Sequence, residues 1–129
     1  MNDRALLRPI AALSLLALAV ATLPVPADSH AVLVRSTPAA RAVLSHPPDR
    51  VRLWFNERLE PAFSSATVWS GSGARMDRQD VRVGPDDPNQ LSVTLPALDP
   101  GTYTVRFRVL SVDGHIVEGS FPFTIKTKQ

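Results

Sequence analysis

Tyr103-Thr104-Val105-Arg106-Phe107-Arg108-Val109 alternates apolar and polar side chains without a break. A period of two puts Tyr103, Val105, Phe107 and Val109 on one face of an extended strand and Thr104, Arg106 and Arg108 on the other. Two more runs repeat the pattern. Val51, Leu53 and Phe55 alternate with Arg52, Trp54 and Asn56, and Phe121, Phe123 and Ile125 alternate with Pro122, Thr124 and Lys126. Weaker strand signals lie at 32–36, 66–70, 79–83 and 91–95. Turn formers separate them: His46-Pro47-Pro48-Asp49, Ser70-Gly71-Ser72-Gly73, residues 84–89, and Asp99-Pro100-Gly101. Pro122 requires a sheet edge, or a side of its strand where the missing N–H leaves no ladder bond unmade. About seven short strands, with no long amphipathic helix, predict an all-β fold, an Ig-like β-sandwich with Greek-key connections.

Ahead of the strands, Arg4 and Arg8 precede an apolar run over 10–23, and Ala27-Asp28-Ser29 follows with small residues at its ends. That is the pattern of a cleaved export signal. The apolar run is too short and wrongly flanked for a lasting membrane anchor, and no later stretch reaches spanning length. The expected organisation is therefore a signal over residues 1–29 and one domain over residues 30–129, soluble and outside the cytoplasm. A competing cut after Ala27 leaves Asp28-Ser29-His30 at the start of the mature chain.

The chain has no cysteine, so no disulfide supports it. Thiolate zinc sites, iron–sulfur clusters and Cys-ligated blue copper are excluded with it. The 14 Lys and Arg nearly balance the 12 Asp and Glu, and the arginines are scattered. Nothing in that distribution forms a nucleic-acid footprint.

Two places carry donor chemistry. Cutting after Ser29 makes His30 the first residue, able to chelate one metal ion through its α-amine and imidazole. Ser111-Val112-Asp113-Gly114-His115 offers an oxygen and a nitrogen donor two residues apart, joined by a glycine that frees the backbone to converge them. Asp-Gly by itself is only a turn signal. Together the amine, two imidazoles and a carboxylate are donor types that suit Cu(II). His46, beside two prolines, reads as an exposed loop residue, and Met76 as a gap-filler or loop residue. Glu57, at the end of the 51–56 run, reads equally as a solvated charge or as a carboxylate that orients a ligand. Trp54 and Trp69 fall on outward positions, with packing at a core or edge the expectation. Ser111 near His115 lacks the strained elbow of a serine hydrolase.

These residues resemble the CopC family of periplasmic copper-binding proteins. The resemblance runs through His30-Ala31, Leu33, Ser36-Thr37-Pro38-Ala39, residues 51–57, residues 98–105, residues 111–115, Gly119 and Phe121-Pro122-Phe123. It implies an Ig-like sandwich in the periplasm that holds one Cu(II) per chain by His30, Asp113 and His115. It also implies a role in copper resistance or homeostasis, with copper passed to an inner-membrane partner of the CopD type. The methionine-rich Cu(I) site of some members has no counterpart here, because Met1 and Met76 are the only methionines. Two other readings stay open. One is an oxidative copper enzyme, since lytic polysaccharide monooxygenases also use an N-terminal histidine; the other is a metal-free Ig-like interaction module.

Overall fold

The structure, a computed structural model, describes residues 32–128. The export signal expected over residues 1–29 and His30 lie outside the described residues. Eight strands form two four-stranded sheets: β1 Leu33–Thr37, β2 Val43–Leu44, β3 Arg50–Phe55, β4 Ser65–Ser70, β5 Arg82–Val83, β6 Gln90–Thr94, β7 Gly101–Leu110 and β8 Ile116–Ile125. One sheet runs β1-β3-β6-β5 and the other β2-β8-β7-β4. The only helical element among the described residues is a single 3-10 turn, Pro61–Phe63. The expected all-β sandwich is what forms.

The alternation read from the sequence sets the layers. Val51, Leu53 and Phe55 of β3 and Leu91 and Val93 of β6 face Ala66 and Val68 of β4, Tyr103, Val105, Phe107 and Val109 of β7, and Phe121, Phe123 and Ile125 of β8. All are buried, and each Val, Leu, Ile or Phe side chain among them contributes about 1.5–3 kcal/mol by leaving water. Phe55 meets Phe107 edge-on across the two layers, with ring centroids 5.6 Å apart. The Tyr103 hydroxyl donates to the Asp99 carbonyl at 2.6 Å, so the ring stays in the core while its polar end is satisfied. Met76 is half-buried against this core, a gap-filler as expected.

Pro122 sits in β8 opposite Thr104, yet its carbonyl accepts from the Arg41 amide at 2.7 Å. A strand residue's N–H and C=O point to the same side, so the absent donor faces away from β7 and costs no ladder bond. Two strands depart from the sequence reading. β2 is a two-residue strand, parallel to β8, that no alternation announced. β5 is confined to Arg82–Val83, because ahead of it the Gln79 amide is taken by the Asp77 side chain and Asp80 binds Thr94 through its own side chain.

Asp77 is the chief of these. Its carboxylate is fully buried; it accepts from the Val68 amide at 2.9 Å and the Gln79 amide at 3.1 Å, and is gripped by the Arg75 guanidinium at 3.0 Å. Burial pushes the Asp77 carboxyl up, and the Arg75 guanidinium with the two amides more than reverses that, leaving it below the ordinary carboxylate range. Asp77→Ala should cost about 2–3 kcal/mol at neutral pH, since buried donors lose their acceptor. A carboxyl depressed in the folded state stabilises above its unfolded pKa of about 3.9, and that stability is lost as pH falls through the lower folded value. Thermal melts should therefore show the deficit of the variant shrinking at acid pH. A deficit that is constant with pH would show that the charge is irrelevant.

Candidate metal centre

The site forms at one end of the sandwich, where β3 stops and β7 turns into β8. Beyond Phe55, the Asn56 amide donates to the Val32 carbonyl at 3.1 Å, and the Asn56 Oδ1 accepts from the Val32 amide at 2.7 Å. The start of the described chain is thereby tied beside Glu57. The segment after Glu57 then runs along the β7 end. The Val112 amide donates to the Arg58 carbonyl at 3.0 Å, and the Glu60 amide to the Leu110 carbonyl at 2.8 Å.

The β7–β8 connection is a tight turn from Ser111 to His115. The Ser111 amide donates to the His115 carbonyl at 2.9 Å, and the Gly114 amide to the Ser111 carbonyl at 3.0 Å. Gly114 has φ of 92°, in the left-handed region, with open space where a Cβ would go. Its constraint is the dihedral, which glycine adopts without steric cost. The turn converges Asp113 and His115: Nδ1 of His115 lies 3.0 Å from Oδ2 of Asp113.

Glu57 joins them. One ligand atom each of Glu57, Asp113 and His115 lies within 4.8 Å of the others. Both Asp113 and His115 side chains are 37% exposed, so the cluster is open to an incoming ion. Glu57 Oε2 is buried and makes no hydrogen bond among the described residues. A buried carboxylate oxygen without a partner is costly unless something cationic or hydrogen-bonding meets it. Glu57 as a whole is half-buried, with this one oxygen shielded from solvent.

Ser111 is the participant that sequence reading missed. It is 1% exposed, and its hydroxyl bonds Asp113 Oδ1 while accepting from the His115 amide at 3.2 Å. The signal was a hydroxyl two residues ahead of an Asp-Gly turn, which reads in sequence as turn chemistry alone. The Ser111 hydroxyl is the main cause that holds the Asp113 carboxyl at about 2; burial opposes it, and Glu57 and His115 add to the lowering. Ser111→Ala should raise the Asp113 value toward the ordinary carboxylate range, read by NMR titration of its carboxyl carbon. No change would assign the lowering elsewhere.

Other candidates stand apart. His46 is exposed, near the opposite end of β3. Trp54 is half-buried on the outer face, with the Arg35 guanidinium 3.8 Å above its ring, and Trp69 is half-buried with Arg106 5.3 Å from its centroid. Neither ring belongs to the metal cluster. Among the described residues, no helix is long and apolar enough to cross a membrane.

Comparison with known proteins shows the family of the chain. A family model described as the CopC domain matches residues 33–126, and the chain belongs to that family. It is 35% identical over 107 residues to Copper resistance protein C of Pseudomonas syringae pv. tomato, covering 78% of this chain and 83% of that one. It is 32% identical over 104 residues to Copper transport protein CutJ of Bacillus subtilis, covering 80% of this chain and 19% of that much longer one. The crystal structure of CopC from Methylosinus trichosporium OB3b superposes with a TM-score of 0.72 at 37% identity, covering 78% of this chain and 97% of that one. The family and these neighbours give the chain a copper-related function of the resistance type.

Proposed function

We propose that the chain is exported, cut directly before His30, and binds one Cu(II) in the periplasm through the His30 amine and imidazole, Asp113 and His115. It then serves resistance or homeostasis by sequestering or carrying the ion. The observation that carries this reading is the convergence of Asp113, His115 and Glu57 beside the point where the chain start is tied down. His30 is two residues upstream of Val32, and two extended residues span at most about 7 Å. The donors are nitrogen and oxygen, the set Cu(II) prefers over Cu(I). The only described methionine, Met76, packs against the core and supplies no soft cage. Glu57 acts as the outer carboxylate that orients the ligands.

Delivery of the ion to an inner-membrane partner of the CopD type belongs to the same reading. Its support is that the matched stretch forms about a fifth of a protein named for copper transport. The oxidative-enzyme alternative is disfavoured because Asp113, as a ligand, would fill a copper position that oxygen chemistry needs open. Copper-loaded protein with reductant should yield no hydrogen peroxide above free-copper controls, and catalytic production would reverse this.

Titration of Cu(II) against a competing chelator tests the site, and its pH dependence is the sharper readout. A free α-amine is protonated below about pH 8 and a free imidazole below about 6.5. Cu(II) must displace those protons. Asp113, held at about 2, stays ionised throughout and contributes no slope. Affinity should fall steeply from about pH 8 to about pH 5, with more than one proton taken up per ion released. A flat profile, or no saturable binding, would overturn the ligand set. Intact mass of the exported protein checks the cut, and Asp28 as first residue would replace the amine chelate of His30 with a different site.

A further inference from the structure

A recess lies at the opposite end of β3 from the candidate metal cluster. It is a shallow cavity of ≈ 470 Å³ walled by Pro38, Leu44 and Pro48, with Thr37, His46, Asp49, Arg50 and Arg52 on its surface. Arg50 and Arg52 are successive outward residues of β3, both half-buried, so two guanidiniums hang over one hollow. Thr37 stands directly across from Arg52 in the pairing of β1 with β3, and Ser92 flanks Arg52 on the other side. Arg82 is next in that row, paired with Ser92.

The charges here are poorly balanced. Among the described residues no carboxylate lies within ion-pair distance of Arg52. Arg50 has only Asp49, at 4.0 Å, and the Asp49 side chain is 92% exposed. Such a pair is worth little. Asp80, the acid near Arg82, is engaged by the amide and hydroxyl of Thr94. Two half-buried guanidiniums, each able to donate five hydrogen bonds, therefore line one cavity beside a hydroxyl and an imidazole, with only the weak Asp49 contact to Arg50 as a carboxylate partner among the described residues.

We infer that this cavity binds a phosphate-class oxyanion, gripped by Arg50 and Arg52 with Thr37 and His46 as further donors. The planar fork of arginine matches two oxygens of such an anion. The group could reach the cavity as free phosphate or as the headgroup of an anionic lipid. Arg52 and Glu57 are five residues apart on or just beyond the same strand, roughly 17 Å by strand rise, so this site and the copper site are separate.

The test uses metal-free full-length protein observed by amide NMR. Inorganic phosphate should shift the amides of Thr37, His46, Arg50 and Arg52 saturably and leave residues 111–115 unmoved. The double variant Arg50→Gln/Arg52→Gln should weaken binding at least tenfold. Arg52→Lys keeps the charge without the fork, and should weaken it several-fold while leaving the spectrum folded. Vesicles of phosphatidylglycerol, against phosphatidylcholine, form the second arm. Retention on the anionic vesicles alone, lost in the double variant, would assign the anion to a lipid headgroup. Shifts that never saturate, or that survive in the double variant, together with no vesicle binding, overturn the proposal.

Discussion

His115→Ala should lower Cu(II) affinity by well over tenfold, more than about 1.4 kcal/mol, if His115 is a ligand, while His46→Ala should leave it unchanged. The contrast comes from position. His115 lies within reach of Asp113 and Glu57 at the end of the sandwich, and His46 is exposed near the other end. Losing one imidazole from a chelate removes a nitrogen donor that nothing else at the site replaces, since Asp113 and Glu57 offer only oxygen. Asp113 then also loses the ring that faces it at 3.0 Å. Competitive titration at one pH gives both numbers. Equal losses from the two substitutions would mean that copper binds by exposed histidines in general and that the cluster is incidental.

Gly119→Ala should destabilise the fold by about 1–3 kcal/mol, the cost of overpacking a filled core. A Cβ at Gly119 would lie 2.5 Å from Cζ and 2.9 Å from Cε1 of Phe107. That ring cannot simply swing away. It is buried, and its neighbour across the sandwich is Phe55, at 5.6 Å between centroids. In a domain of this size each kcal/mol shifts Tm by roughly 4–8 °C. Phe107→Leu in the same chain should relieve part of the penalty, because the two changes meet at one point. Strictly additive melting shifts would show that the ring and the glycine do not interact.

Much of the fold was legible because β3, β7 and β8 carry unbroken period-two patterns, and one buried face fixes their register. The strand starting at Val32 in sequence begins at Leu33, and the one read over 91–95 begins at Gln90, shifts of a single residue. β2 escaped because two residues have no periodicity; the β8 edge creates that strand, not its own sequence. The run at 79–83 shrank because Gln79 takes a φ of 60° and Asp80 binds Thr94 through its side chain, so neither residue joins the sheet as a strand. For the site, Asp113 and His115 were visible as two donors around a glycine. Their partner Glu57 was ambiguous, since a carboxylate at a strand end reads the same whether solvated or buried. Ser111 was illegible for a similar reason. Its importance comes from being buried beneath the turn, which depends on the Arg58–Glu60 segment packing alongside.

The proposed copper site stands or falls with the α-amine of His30 as a ligand beside Asp113 and His115. Acetylating that amine on the processed protein alters no described residue and leaves both imidazoles in place. Competitive Cu(II) titration of the two forms near pH 7.5 is the direct measurement. The free amine should bind one equivalent, and the acetylated form should bind at least tenfold more weakly. Equal affinity in the two forms would contradict the N-terminal chelate.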